Sequence, residues 1–73
     1  MDQTSSGLLR RCTEAIRDGA DFPTVWQTVL RSHWLVRGLP EQYLDGDRVL
    51  LRIRLATGQH LLFDSETKSF SIA

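Results

Sequence analysis

Among the residues of this 73-residue chain that could do chemistry, the lone Cys12, the histidines His33 and His60 and nine carboxylates are the only metal-ligand types. A zinc site draws three or four ligands from such a set, with pairs at close, regular spacing. No CxxC or HxxxH pair occurs, so no metal is assigned. A cysteine nucleophile needs a nearby base and an electropositive, partly exposed thiol. Cys12 instead falls on the apolar stripe of its helix, where a small buried thiol is the simpler expectation. No serine sits in a GxSxG elbow. The five glycines are scattered at turns and helix ends rather than gathered in a phosphate loop. Asp45 and Asp47 flank Gly46 as solvated turn residues would. The chain therefore reads as non-catalytic, with no catalytic residue and no cofactor.

Nine basic and nine acidic side chains leave no net charge, which excludes the strong, sequence-independent phosphate binding of a basic domain. Only residues 31 to 54 lean positive, through Arg31, Arg37, Arg48, Arg52 and Arg54. Nucleic-acid binding through these arginines is the alternative function. A winged helix would need a recognition helix of about three turns, and Gly38 to Asp47 is too short for one. The aromatic residues that would stack on bases, Phe63 and Phe70, alternate onto the opposite face.

The elements that must position these groups follow from periodicity. Leu8, Leu9, Cys12, Ala15 and Ile16 recur at helical steps, predicting a helix over Ser6 to Asp18 with Ser5 or Ser6 as N-cap and Gly19 as its stop. A second helix begins at Phe22-Pro23, since proline tolerates the first helical turn and Asp21 favours its start. Its stripe of Phe22, Val25, Trp26, Val29, Leu30 and His33 carries it to an end between His33 and Arg37. Residues 40 to 44 fit either one helical turn or a short edge strand folded back through Asp45-Gly46.

Val49, Leu51, Ile53 and Leu55 alternate with Leu50, Arg52 and Arg54, the period of a half-buried strand. Further strands run from Gln59 to Asp64 and from Ser69 to Ile72. Glycine in the left-handed third place of an Ala56-Thr57-Gly58 loop sets Leu55 opposite Gln59, Ile53 opposite Leu61 and Leu51 opposite Phe63. A four-residue loop after Asp64 then sets Phe63 opposite Phe70 and Leu61 opposite Ile72. The fold class is α+β: an N-terminal helix hairpin packed on one face of a three-stranded antiparallel meander, with room for a short fourth edge strand, in two layers.

The face turned from the helices carries Leu50 and Leu62 among Arg52, Arg54, His60 and Asp64, an apolar centre with a charged rim. An Arg52 to Asp64 diagonal pair and two ordinary exposed leucines are its bland explanation. A second candidate is Trp34-Leu35-Val36-Arg37, too apolar around its girth for one helix face to bury. The candidate partner surface is thus Leu50, Arg52, Arg54, His60, Leu62, Trp34 and Arg37. It suits a protein partner or a second copy in a homodimer.

Length bounds the rest. At 8.3 kDa the compact chain exposes roughly 4,600 Å² of the roughly 12,000 Å² of its extended form, which leaves a single domain over residues 1–73 marginally stable. Residues 1 to 5 are expected to be flexible. No stretch approaches the roughly 20 apolar residues of a membrane span, the N-terminus lacks a secretory pattern, and a lone cysteine suits a reducing compartment. A cytoplasmic location follows as the expectation. Eight arginines to one lysine, with no asparagine, suit a GC-rich bacterial genome.

Overall fold

The computed structural model describes residues 5–73. The first four residues, and with them most of the segment expected to be flexible, lie outside the described residues. Helix α1 spans Ser5–Arg17 and stops at Gly19, whose φ of 102° is the left-handed conformation that ends a helix. Ser5 and Ser6, the two caps expected, both fall inside the helix. Ser5 is buried, and its hydroxyl donates to Gln59 Oε1 at 2.7 Å.

Helix α2 opens at Phe22–Val25 with Pro23 in its first turn, and Asp21 caps it by accepting from the Thr24 N–H at 3.1 Å. It then widens into a π-helical turn over Trp26–Leu30, where the Arg31 N–H donates to the Trp26 carbonyl five residues back at 2.7 Å. A regular α-helix would set Val25 and Leu30 about 140° apart. The wider turn brings both inward, and both are fully buried.

The second helix therefore ends at Leu30, short of the expected His33 to Arg37. The His33 N–H donates to the Leu30 carbonyl and the Val36 N–H to the His33 carbonyl, so the chain turns and enters the sheet at Val36. Leu35 closes the end of the core and Trp34 is left outside. Burying both on one helix would have required an apolar surface all round.

Four strands follow in a plain antiparallel meander: β1 Val36–Asp45, β2 Arg48–Leu55, β3 His60–Asp64 and β4 Ser69–Ile72, in the order β1-β2-β3-β4. The sheet is four-stranded rather than three. Residues 40 to 44 are strand, and they belong to a ten-residue β1. Pairing shifts between Arg37 and Glu41, which face Arg54 and Arg52. Three residues of β1 thus oppose Ile53 alone. Gly38, with a φ of 92°, and Pro40, which has no N–H to contribute, sit in that bulge. The β1–β2 turn is Gly46-Asp47, with Gly46 at a φ of 66° in the place glycine takes in a type II′ turn.

The other registers are those expected from loop chemistry. Leu51 faces Phe63, Ile53 faces Leu61, Phe63 faces Phe70 and Leu61 faces Ile72. The Leu55 N–H donates to the Gln59 carbonyl, and Gly58 has a φ of 91°. Ile53, Leu55, Leu61, Phe63 and Phe70 meet Leu8, Cys12, Val25, Leu30 and Leu35 in one core. Phe22 closes it, with ring centroids 5.1 Å from Phe63 and 6.2 Å from Phe70. The fold is thus α+β, a helical layer over one face of an antiparallel sheet.

That layer sits over the β4 side, where α1 makes its sheet contacts. The chain exposes 4,916 Å², more than the roughly 4,600 Å² of a fully compact chain of this mass. Among the described residues the exposed large apolar side chains are Trp34 at 59%, Leu39 at 75%, Leu44 at 71% and Val49 at 49%. All four lie on β1, its approach or the adjoining start of β2. Val49 shares its face with Leu51 and Ile53, as alternation requires, but the helices do not reach it. No described helix is long and apolar enough to cross a membrane.

Candidate interaction surface

The candidate surface is built on β2 and β3. Residues directly opposite in an antiparallel sheet share a face, and the register sets Arg54 against His60, Arg52 against Leu62 and Leu50 against Asp64. Those six therefore share the face turned from the helices. The structure adds Arg37, which stands opposite Arg54 across β1 and β2. The Trp34 segment and the outer face, separate in the sequence, are joined there. Arg37 Nη1 donates to the Trp34 carbonyl at 2.6 Å, and the Trp34 ring stacks on His33 at 6.1 Å.

Two residues absent from the expected surface lie at its middle. Glu41 and Tyr43 occupy β1 opposite Arg52 and Leu50. Arg52 places its Cζ 4.8 Å from the Tyr43 ring centroid and reaches Glu41 at 3.6 Å. The spacing of Glu41, Tyr43 and Asp45 was their one signal in the sequence. It has no meaning until residues 40 to 44 are known to be a strand.

Two expectations change here. Asp64 pairs with Arg48 at 2.8 Å, not with Arg52. Arg48 and Arg52 are its two diagonal neighbours across β2, and Arg52 is already held by Tyr43 and Glu41. Leu50 is not an exposed leucine either. Only 7% of it is accessible, because Tyr43 and Asp64 stand on either side of it in the register. A depression of about 360 Å³ remains beside it, lined by Asp45, Leu62, Thr67, Ser69 and Ser71 among others.

The groups with reactive atoms are dispersed over the fold. Cys12 is fully buried, and burial pushes its thiol up to about 12 against a small opposing pull from Arg11. His33 sits in the turn before β1 and His60 on β3, so the fold does not bring them together as ligands. Among the described residues no three His, Cys, Asp or Glu side chains gather as a metal site. No protein-family model, curated protein or solved structure matches this chain.

Proposed function

We propose that this chain is a non-catalytic protein-interaction or self-association module of a bacterial cytoplasm, working through the outer sheet face and the adjoining Trp34. One observation carries the reading: the strand register gathers Arg37, Tyr43, Arg52, Arg54 and Leu62 around Leu50 on the face the helices leave open, with the exposed Trp34 beside Arg37. An apolar centre within a polar, charged rim is the anatomy of a contact surface. Aromatic and arginine side chains, here Trp34, Tyr43, Arg37, Arg52 and Arg54, dominate binding energy at such surfaces.

Nucleic-acid binding has less support. Arg48 and Arg52 face carboxylates, and Arg37 spends a guanidinium nitrogen on the Trp34 carbonyl. Titration with labelled duplex and single strands at low salt separates the two readings, because phosphate affinity is greatest there.

The interaction reading is tested by comparing the wild-type chain with Trp34→Ser and Leu62→Ser as immobilised baits. Both positions lie on the surface, so the variants keep the fold. A partner retained by wild type and lost by either variant supports the reading. Equal retention by all three places the contact elsewhere.

A further inference from the structure

The outer face is electrically polarised along β2. At one end Arg37 and Arg54 stand opposite each other with His60 beside Arg54. Glu41 lines a hollow with Arg37 and Arg54 and is 3.6 Å from Arg52, so three arginines stand against one carboxylate at this end. At the other end Asp45, Asp47, Asp64 and Glu66 surround Arg48 alone, which is 2.8 Å from Asp64 and 4.0 Å from Glu66. Six residues of strand separate Arg54 from Arg48, roughly 20 Å. Between the ends lie Leu50, Leu62 and Tyr43.

We propose that a second copy of this chain docks on this face, outer sheet against outer sheet. The two-fold axis lies between the sheets and crosses the strands. Each strand then lies on its own counterpart, so Arg37 of one copy meets Asp45 of the other, and Arg54 comes against Arg48 together with its carboxylate partners Asp64 and Glu66. The proposal rests on the interaction reading above and names its partner.

A two-fold interface joins a patch to itself, so the patch must be complementary to its own rotated image. Opposite net charge at opposite ends meets that condition, and in one direction only, because parallel stacking would set the basic end on the basic end and the acidic end on the acidic end. A partner of uniform charge would be drawn to one end and repelled by the other. The depression at the acidic end is lined by the Asp45 and Asp64 carboxylates and by Arg48, which Asp64 holds at 2.8 Å, and the Asp45 carboxylate is the acceptor left for the donor fork of an incoming arginine.

The open edge of β1 fits a second copy less well, since the bulge and Pro40 interrupt the ladder that strand addition needs. Four strands at about 4.8 Å spacing and about six residues in length give roughly 400 Å² of flat contact per copy. The total, roughly 800 Å², falls short of the roughly 1,000 Å² that a stable specific interface clears, so the dimer is weak and concentration-dependent.

The test is sedimentation equilibrium of the full chain up to about 1 mM at low and high salt, where screening separates charge-driven from apolar association. Wild type should dimerise at low salt and dissociate at high salt. Arg37→Glu/Arg54→Glu and Asp45→Lys/Asp47→Lys should each remain monomeric. Their equimolar mixture should form a heterodimer at least about ten-fold tighter than either self-association. Circular dichroism checks that each variant is folded, and the single changes Arg54→Glu and Asp47→Lys, at exposed side chains, repeat the test if a double variant is not.

A wild type that is monomeric at every concentration overturns the second copy while leaving a different protein partner open. A wild-type dimer that both charge variants also form overturns this face as its contact.

Discussion

His33 and Leu35 are joined by a hydrogen bond from the Leu35 N–H to His33 Nδ1 at 3.1 Å, so the turn that carries the chain into β1 depends on an imidazole with a free lone pair. Burial, helped by the charge of Arg11, holds the His33 imidazole below its ordinary value of 6.5. Protonation would cost the acceptor as well. Between the lowered folded value and 6.5 the unfolded chain binds more protons, and stability therefore rises with pH. The contribution is complete above 6.5 and is lost as pH falls through the folded value. Urea melts at about pH 7.5 and about pH 5 should show wild type losing more stability on acidification than His33→Gln, which keeps a neutral acceptor. Identical losses would mean that the bond is not what responds.

Phe63 and Leu44 lie on the same face of the sheet, yet only Phe63 is under the helices. Its ring is 4.8 Å from Phe70 and 5.1 Å from Phe22. Phe63→Ala should cost about 3 to 5 kcal/mol, much of the stability of a domain this small. Leu44→Ala, at a side chain 71% exposed, should stay within about 0.5 kcal/mol. Denaturant melts of both variants measure how far the helical layer reaches. Comparable costs would put Leu44 in the core and contradict this arrangement.

Cys12 should be inert in the folded protein. Its thiol is fully buried and pushed up to about 12, and the thiolate is the form that reacts. Iodoacetamide labelling followed by mass spectrometry should be slow in buffer and fast in denaturant, with the slow rate tracking opening of the fold. The folded thiol keeps its proton above the ordinary 9.0 of an exposed one, so stability should also fall as pH rises from there toward 12. Rapid labelling in buffer would show α1 to be loosely held.

Gly58 isolates a backbone term. Its φ is 91°, and a methyl group added there would meet nothing within 4 Å. Gly58→Ala should therefore destabilise by about 1 to 2 kcal/mol through conformation alone. Gly58→Asn should cost less, since asparagine tolerates left-handed geometry. Thermal melts rank the three, and an alanine variant as stable as wild type would mean that the loop relaxes into another turn type.

Local rules determined much of this protein from sequence alone. Alternation over Val49 to Leu55, with glycine needed at the third place of the 56–58 loop, gave the β2–β3 register and, through the loop after Asp64, that of β4. A one-residue slip would have turned every core side chain outward. The stop at Gly19, the Asp21 cap and the Pro23 start were equally local, because each satisfies backbone groups within one turn.

Tertiary structure decided what local rules left balanced. Residues 40 to 44 had two acceptable local forms, and the free edge of β2 settled them as strand by offering a ladder that a helical turn could not use. The same choice drew Val36 into the sheet, ended the second helix at Leu30 and placed Glu41, Tyr43 and Asp45 on the outer face. Asp64 had two arginines at the same diagonal offset, and it pairs with Arg48 because Tyr43 and Glu41 hold Arg52. Alternation could also place Leu50 and Val49 on their faces but not say how covered each would be. That depends on where neighbouring strands and helices end. Leu50 is therefore enclosed on the open side of the sheet, while Val49 is left uncovered on the side that carries the core.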